Sequence, residues 1–330
     1  MTTIKQVAEL AGVSQATVSR VMSGSSPVNE ATQKRVEEAI RTLNYQPNAF
    51  ARSLASNRSS SVGLVISYLA GGMLGRLMTR IEQHLRQHNI SLLIAVGHAN
   101  VEQEREAIAF LRSRRCDALI VQADGLADSE LRTLARQTPT VVVNREVPDI
   151  EQQCVFSNDF HGGFLATQHL LAQGHQHIVC ISGPQAQQDA RRRMEGYQTA
   201  MRNAGQATNI RIIEGNFSET AGRNAVFQLQ QEGAPYTAIV AGSDDTALGA
   251  ISALTELKRS IPEDVSIVGY DDEGYSRHLA GGLTTIHAPA EEMGDAVATL
   301  ARQLIEGDTE RAAMCFTPYL VERATTRILA

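Results

Sequence analysis

The sequence contains no tryptophan, four cysteines, and no apolar run long enough to cross a membrane. Without Trp, the stacking surface of any ligand site has to come from Phe or Tyr. Cys116, Cys154, Cys180 and Cys315 are widely spaced beside apolar runs and form no CxxC or Cys/His cluster, so we expect buried free thiols and no metal site. Because the N-terminus also lacks an apolar signal core, we expect a cytoplasmic chain with no membrane partner.

The common enzyme motifs are absent as well. The sequence has no GxGxxG, no P-loop and no GxSxG nucleophile elbow. His175 and His177 lead into an apolar run, where turn chemistry is the simpler explanation. The adjacent aspartates at 244–245 and 271–272 are typical of helix caps or of groups that bind hydroxyls, as well as of acid/base catalysis. The sequence therefore predicts a protein that is not an enzyme and that has no cofactor.

Positive charge is in the minority overall but is concentrated at one end. The 330 residues carry a formal net charge of −6, which alone argues against a nucleic-acid partner. Residues 1–60, however, hold seven Lys/Arg and four Glu, a net charge of +3, so the remaining residues carry −9. A chain of this length predicts two or three domains, and we expect a small basic head on an acidic body.

The stretch from residue 4 to residue 22, IKQVAELAGVSQATVSRVM, predicts two short helices. Ile4, Val7, Ala8 and Ala11 follow the i, i+3, i+4, i+7 spacing of one helical face, and Gly12 ends the first helix. A third helix should close this head. Its N-cap and apolar stripe are Asn29, Val36, Ala39, Ile40 and Leu43.

The second helix has an outward face without acids. Ser14 is a good N-cap for it, and Val13, Val18 and Val21 supply its inward face. The outward residues are Gln15, Ala16, Thr17, Ser19 and Arg20. Small, hydroxylated, amide and guanidinium side chains are typical of a helix that lies in a DNA major groove. The alternative is a helical hairpin that merely packs.

A short helix is also predicted between head and body. Pro47 can open it, and residues 49–55 favour about two turns before a flexible linker at 56–61. A helix this short is unstable alone in water, so we expect it to form only when something holds it. One hypothesis is that it folds in the DNA minor groove with Leu54 inserted at a base step. The alternative is a passive linker.

From residue 62 onward, strand and helix signals alternate in two series. Strands are predicted at 62–66, 92–96, 118–121 and 141–143, and again at 178–181, 210–213, 238–241 and 266–270. Helices are predicted around 75–88, 102–114, 129–136, 162–172, 190–203, 218–231 and 246–257. Alternation predicts parallel sheets covered by helices on both faces, and two facing sheets predict a ligand cleft beyond the carboxyl ends of their strands.

Six segments carry a family resemblance: TIKQVAELAGVSQATVSRVMSG, LNYQPNAFARSLAS, LLAQGHQHIVCISGP, DDTALGAISAL, DVSIVGYDD and LTTIHAP. Together they resemble the LacI/GalR (lactose and galactose repressor) family of bacterial transcription regulators over essentially the whole chain. The resemblance implies an α/β fold with a helix-turn-helix DNA-binding head at 1–46 and a hinge helix and linker at 47–61. A periplasmic-binding-protein-like core of two doubly wound parallel-sheet subdomains would then occupy 62–330. Its expected subdomains are about 62–157 plus 290–317, and about 158–289 plus 318–330.

In function, the resemblance implies a repressor of a carbohydrate-utilisation operon. A homodimer would bind near-palindromic operator DNA, and a small sugar or sugar-like effector in the cleft would set its operator affinity through a population shift. The chain shows no counterpart of the lactose repressor's tetramerisation helix after YLVERATTRIL, which favours a dimer. The alternatives are a purine-repressor-like regulator that requires a corepressor, a sugar-binding receptor, and an enzyme on the same core.

The resemblance also implies which residues contact DNA. Arg20 suits bidentate bonds to guanine O6 and N7, and Gln15 and Ala16 occupy the positions that vary with operator sequence in the family. Residues expected on the DNA backbone are Ser14, Thr17, Ser19 and Asn29. Residues expected at the minor groove are Asn48, Ala51 and Leu54.

For the effector, the resemblance implies contacts from Asn144, Phe156, Arg193, Phe217, Ser243 and Asp271. Arg and Asp can bond vicinal sugar hydroxyls bidentately, and an aromatic face can cover the apolar side of a ring. A turn cap remains the alternative for Asp271, and core packing remains the alternative for Phe217. Three departures from the family pattern leave the ligand's identity open. They are Ser243 in place of a frequent Asn, SYLAGGMLG at 67–75, and Ala288 in place of a common Gln.

Overall fold

The computed structural model describes residues 2–23, 27–45, 58–69, 72–308 and 312–329. The chain divides into two compact units, Met1–Ser60 and Ser61–Ala330. Over its described residues the first unit is helical and the second is α/β, which confirms the predicted fold class. Within the described ranges, no helix is both long and apolar enough to cross a membrane.

The described part of the first unit is a three-helix head. Its helices are α1 (Ile4–Ala11), α2 (Gln15–Ser23) and α3 (Glu30–Thr42). The Thr3 hydroxyl accepts from the Gln6 N–H at the start of α1, and Gly12 ends that helix with φ +64°. Val7, Val18 and Val36, one from each helix, are fully buried and form the shared core.

In the second unit, the first sheet is entirely parallel. Its strands are β1 (Ser61–Ile66), β2 (Ser91–Val96), β3 (Ala118–Val121), β4 (Thr140–Val143), β5 (Cys154–Ser157) and β11 (Met314–Phe316). Their spatial order is β11-β5-β4-β3-β1-β2. Parallel strands buried on both faces appear in the sequence as continuous apolar runs, and the buried LVI of β1 and ALIV of β3 are such runs.

The second sheet repeats this plan with one antiparallel edge strand. Its strands are β6 (Ile178–Ser182), β7 (Arg211–Glu214), β8 (Ala238–Ala241), β9 (Ser266–Asp271), β10 (Thr284–His287) and β12 (Tyr319–Val321). Their spatial order is β12-β10-β9-β8-β6-β7, and β12 runs antiparallel to β10.

Helices cover both faces of each sheet. They are α4 (Gly72–Gln87), α5 (Val101–Ser113), α6 (Asp128–Gln137), α7 (Asp159–Ala172), α8 (Gln188–Asn203), α9 (Glu219–Glu232), α10 (Asp244–Glu256) and α11 (Ala290–Glu306). On the first sheet, α4 and α11 pack on one face, and α5 and α6 pack on the other. On the second sheet, α7 and α8 lie opposite α9 and α10.

The eight predicted strands and seven predicted core helices are confirmed to within a few residues, but the alternating series stopped too early. It missed α11, although Met293, Val297, Leu300 and Leu304 lie on one helical face. The predicted series also lacks β5, β10 and the three-residue strands β11 and β12. β1 begins at Ser61, which the predicted linker had included.

The prediction of four buried thiols is wrong at one position. Cys116, Cys154 and Cys180 are buried, but Cys315 is exposed. It lies in β11, a strand of only three residues at the edge of the first sheet, and within the described residues no further strand pairs with the outer edge of β11.

The backbone passes between the two sheets three times. The crossings run from β5 to α7, from β10 to α11, and from β11 to β12. Each sheet is therefore assembled from separated parts of the sequence. Where the carboxyl ends of the parallel strands face one another, the connections after the strands line a cleft.

Two glycines let α7 and α8 approach closely. A Cβ on Gly163 would lie 2.0 Å from the carbonyl oxygen of Arg193, and a Cβ on Gly196 would lie 2.1 Å from the carbonyl oxygen of Phe160. Neither position tolerates a side chain unless the helices separate. This contact sets the depth at which Arg193 enters the cleft.

Candidate nucleic-acid interface and ligand cleft

Four of the five residues predicted on the outward face of α2 are exposed. Gln15, Ala16, Ser19 and Arg20 are exposed, whereas Val18 is fully buried. Thr17 is half-buried. The α2 sequence, QATVSRVMS, contains no acid. The face therefore offers a guanidinium, an amide and hydroxyls to an anionic partner without a repelling carboxylate on the same helix.

Two residues assigned to DNA phosphates also cap helices. The Ser14 hydroxyl accepts from the Thr17 N–H at 3.1 Å and shares a hydrogen bond of 2.9 Å with the Thr17 hydroxyl. The Asn29 Oδ1 accepts from the Ala31 N–H at 2.9 Å. Their side chains fix the starts of α2 and α3, so a role in the head's structure accompanies any phosphate contact. The hinge residues Asn48, Ala51 and Leu54 lie outside the described residues.

A cavity of about 470 Å³ lies in the cleft of the second unit. Among the residues assigned to the effector, five line it: Asn144, Arg193, Phe217, Ser243 and Asp271. Phe156 does not. It lines a neighbouring cavity of about 380 Å³ together with Cys315, and Asn144 and Asp189 border both cavities.

Arg193 is the buried cation of the cleft. Its Nε donates to the Asp159 carboxylate at 2.9 Å, and its Nη1 donates to the Gly242 carbonyl at 2.7 Å. Its guanidinium carbon also lies 3.7 Å from the centre of the Tyr270 ring. Burial opposes the charge, but the Asp159 and Asp271 carboxylates outweigh it and raise the pKa of Arg193 above its ordinary value. Arg193 is therefore a fixed cation.

Asp271 presents an unsatisfied acceptor to this cation. It ends β9 with φ +104°, and its Oδ1 is buried with no hydrogen-bond partner among the described residues. Arg193 Nη1 lies 3.6 Å from that oxygen, beyond hydrogen-bond distance. Burial raises the pKa of Asp271 well above its ordinary value, against the opposing charge of Arg193. A ligand hydroxyl donated to Oδ1 would satisfy this acceptor.

Ser243 positions Phe217 rather than offering a free donor. Its hydroxyl donates to the Phe217 carbonyl at 3.0 Å and accepts from the Thr246 N–H at 3.1 Å. Phe217 has φ +63°, and its ring packs where Gly183 has no side chain, since a Cβ there would lie 2.1 Å from the ring. Both residues border the cavity, and the hydroxyl of Ser243 is committed to the protein.

Residues that the sequence analysis did not single out complete the lining. Tyr68, Asp189 and Glu273 border the cavity, and so does Asp245, one of the paired aspartates already noted in the sequence. Asp189 could have been found from its place in the first turn of a helix that begins at the carboxyl edge of the sheet. For Glu273, no local pattern was available, because its position depends on Arg76 of α4, whose Nη1 donates to it at 2.9 Å.

Several polar residues noted in the sequence are structural. Asp244 is fully buried and accepts from the Glu273 N–H at 2.8 Å and the Thr285 hydroxyl at 2.6 Å. Asp272 pairs with Arg323 at 2.5 Å outside the cavity lining. The buried His175 bonds to the Thr237 hydroxyl at 2.9 Å.

Comparisons with known proteins give a consistent picture. The family model of bacterial regulatory proteins of the lacI family matches residues 3–48, and the model of the periplasmic binding protein-like domain matches residues 167–326. The chain is 37% identical over 326 residues to the HTH-type transcriptional regulator GalR of Escherichia coli (strain K12), covering 98% of this chain and 95% of that protein.

Two further matches also span the chain. Identity to the HTH-type transcriptional repressor PurR of Aliivibrio fischeri (strain MJ11) is 33% over 331 residues, covering 98% of each chain. A crystal structure of the lac repressor dimer bound to operator and the anti-inducer ONPF superposes with a TM-score of 0.90, at 30% identity and 99% coverage of both chains. These relatives are regulators or repressors, not enzymes.

Proposed function

The chain belongs to the LacI family of bacterial regulatory proteins, and from that premise we propose that it represses a carbohydrate-utilisation operon under the control of a small sugar. Residues 1–46 would read the operator, residues 47–61 would link head to core, and residues 62–330 would bind the effector and dimerise. The observation that carries the proposal is the presence in one chain of an exposed, acid-free α2 face and of a cavity where Arg193 and Asp271 converge.

The roles of individual residues follow from their surroundings. The exposure of Gln15, Ala16 and Arg20 supports base contacts, with Arg20 bonded to guanine. In the cavity, Arg193 and Asp271 suit vicinal hydroxyls, and Phe217 offers an apolar ring face.

We also propose a homodimer that acts in the cytoplasm. The lac repressor relative is a dimer on operator DNA, and a two-fold dimer presents two reading helices to the two half-sites of a near-palindrome. Bacterial operator DNA lies in the cytoplasm, so a regulator that binds it acts there, which supports the cytoplasmic assignment.

Selection of bound sequences from random DNA by the full chain tests the DNA-binding part. We expect a near-palindromic consensus, bound with an affinity that changes when the right sugar is added. A variant lacking residues 1–60 should lose operator binding and keep the sugar-induced rise in Tm. Equal DNA binding with and without residues 1–60 would contradict the assigned head.

A corepressor-dependent regulator is the second candidate, favoured by the end-to-end similarity to PurR. The sign of the ligand effect separates the two. A ligand that weakens operator binding is an inducer, whereas one that strengthens it is a corepressor.

A further inference from the structure

The charge balance of the cavity points to a chemical class of effector. Its lining contains four acidic side chains, from Asp189, Asp245, Asp271 and Glu273, against one guanidinium, that of Arg193. Even without Asp271, whose pKa is raised by burial, the acids outnumber the guanidinium three to one. We propose that the cavity binds an uncharged, hydroxyl-rich compound and rejects its phosphate ester or carboxylate derivative. This inference rests on the proposed function, in which the cavity holds the effector.

The guanidinium groups in and beside the cavity, those of Arg193 and Arg76, are already paired with protein acceptors. Arg193 bonds to Asp159 and to the Gly242 carbonyl and lies beside Asp271. Arg76 is paired with Glu273 at 2.9 Å and with Glu291 at 3.2 Å. A phosphate entering the cavity would have to compete with these carboxylates for both guanidiniums, and it would be repelled by the carboxylates that it displaced.

Several hydrogen-bond donors of the lining are also committed to protein acceptors. The Ser67 hydroxyl and the amide groups of Gln122 and Gln187 donate to Asp124, at 2.7, 3.3 and 3.2 Å. The hydroxyl of Ser218 donates to the Asn216 Oδ1 at 2.6 Å. With the Ser243 hydroxyl also committed, donors of five lining residues already serve protein acceptors, while Asp189, Asp245, Asp271 and Glu273 add carboxylate oxygens to the lining. A ligand must therefore bring donors, as hydroxyl groups do and a phosphate dianion does not.

Helix N-termini do not reverse this conclusion. α4, α8, α9 and α10 begin at the cavity, and a helix N-terminus ordinarily favours an anion. At the start of α4 the Glu273 carboxylate accepts from the Met73 N–H, and the first turn of α9 contains Glu219. The first turn of α8 already contains Asp189, whose Oδ1 accepts from the Ala190 N–H at 2.7 Å. The first turn of α10 contains Asp245, which accepts from the Tyr275 hydroxyl. The protein's own carboxylates thus occupy the places that a phosphate would use.

The test is a thermal-shift and calorimetric titration of the full chain with a panel of free aldohexoses, aldopentoses and nucleosides. Each compound that binds is then compared with its own phosphate ester and, where one exists, its uronate. We expect at least one neutral compound to bind and its anionic derivatives to bind at least about 100-fold more weakly at low salt. An anionic derivative that binds as tightly as its parent overturns the proposal and leaves a sugar-responsive regulator standing. Failure of every panel compound to bind overturns both.

A double variant separates charge from size. Asp189→Asn with Asp245→Asn removes two carboxylate charges while keeping nearly the same volume. We expect the phosphate ester to gain at least about tenfold in affinity relative to its neutral parent. Exclusion by shape alone would leave that ratio unchanged, and such a result would overturn the charge argument. The matched control is Glu195→Gln in α8, which removes one charge from an exposed position outside the cavity lining and should leave the ratio as it was.

Discussion

The outward face of α2 and the cavity of the second unit are both polar, but they are built in opposite ways. On α2, the residues assigned to bases lie within six consecutive positions and project from one exposed helix. In the cavity, Asn144, Arg193, Phe217 and Asp271 come from four separate segments, each at or after the end of a different strand, and Arg193 is held by Asp159 and the Gly242 carbonyl. A substitution on the exposed face of α2 should therefore remove only the contacts of that residue, whereas a substitution in the cavity should also disturb the residues packed around it.

The largest expected effect is the loss of Arg193. Arg193→Ala leaves the buried Asp159 and Asp271 without their cation, so we expect a loss of about 3–5 kcal/mol in the free energy of unfolding. Urea unfolding of the full chain, followed by far-UV circular dichroism, measures it. Arg192→Ala is the matched control, because this neighbour has an exposed ion pair of 3.2 Å with Glu195. Similar losses in the two variants would contradict the assigned role of the buried cation.

On the reading face, Arg20→Ala should act on binding rather than on folding. We expect a loss of about 1–3 kcal/mol per half-site on the selected operator, with a much smaller loss on random DNA. Fluorescence anisotropy with both DNAs at one salt concentration makes the comparison. If affinity falls equally on both, Arg20 contacts phosphate and does not read sequence. Lys34→Ala, on the exposed side of α3, serves as the control for a simple loss of charge.

Asp189 should make the cavity's stability depend on pH. Burial, only partly offset by Arg193, raises its pKa from 3.8 to about 6. Between those values the folded chain binds more protons than the unfolded chain, so this group's contribution lowers stability as pH rises from about 4 to about 6. Above that window the destabilisation is complete.

Asp189→Asn should remove this dependence. We expect the variant to be more stable than the parent by about 1–2 kcal/mol at neutral pH, with the difference shrinking towards zero near the acid end of the window. Urea unfolding of the parent and the variant, at neutral pH and at the acid end of the window, tests this. Asp149→Asn, whose side chain is 77% exposed, should show no such change. A difference that is the same at both pH values would rule out Asp189 as the titrating group.

The smallest expected effect concerns Phe156. Since it does not line the 470 Å³ cavity, Phe156→Leu should change the affinity for a bound neutral sugar by less than about twofold. Phe217→Leu removes an aromatic face from the lining and should cost about 0.5–1.5 kcal/mol. Calorimetric titration of both variants with a neutral sugar that binds the parent measures the two changes in affinity. A larger loss at Phe156 would mean that the ligand extends into the neighbouring cavity.

The sequence predicts α2 and the sheet strands well because each depends on a local pattern. Valines at helical spacing place the outward face of α2, and buried parallel strands appear as continuous apolar runs such as ALIV. The cavity is harder to predict, because hydrogen bonding there depends on distant segments. The sequence shows that Ser243 has a hydroxyl, but not that it is donated to the Phe217 carbonyl. Likewise, Glu273 enters the lining through Arg76, almost two hundred residues earlier in the chain.

The three crossings between the sheets have a consequence for synthesis. β1 to β5 leave the ribosome first, but α11, which covers Val62 and Leu64 of the first sheet, begins about 130 residues after β5 ends. At about 5–20 residues per second, the part of that apolar face that α4 does not cover stays exposed for about 7–30 s while the second sheet is being made. The first sheet therefore begins folding early and finishes late. A nascent chain halted before residue 290 should carry a bare apolar surface that attracts chaperones.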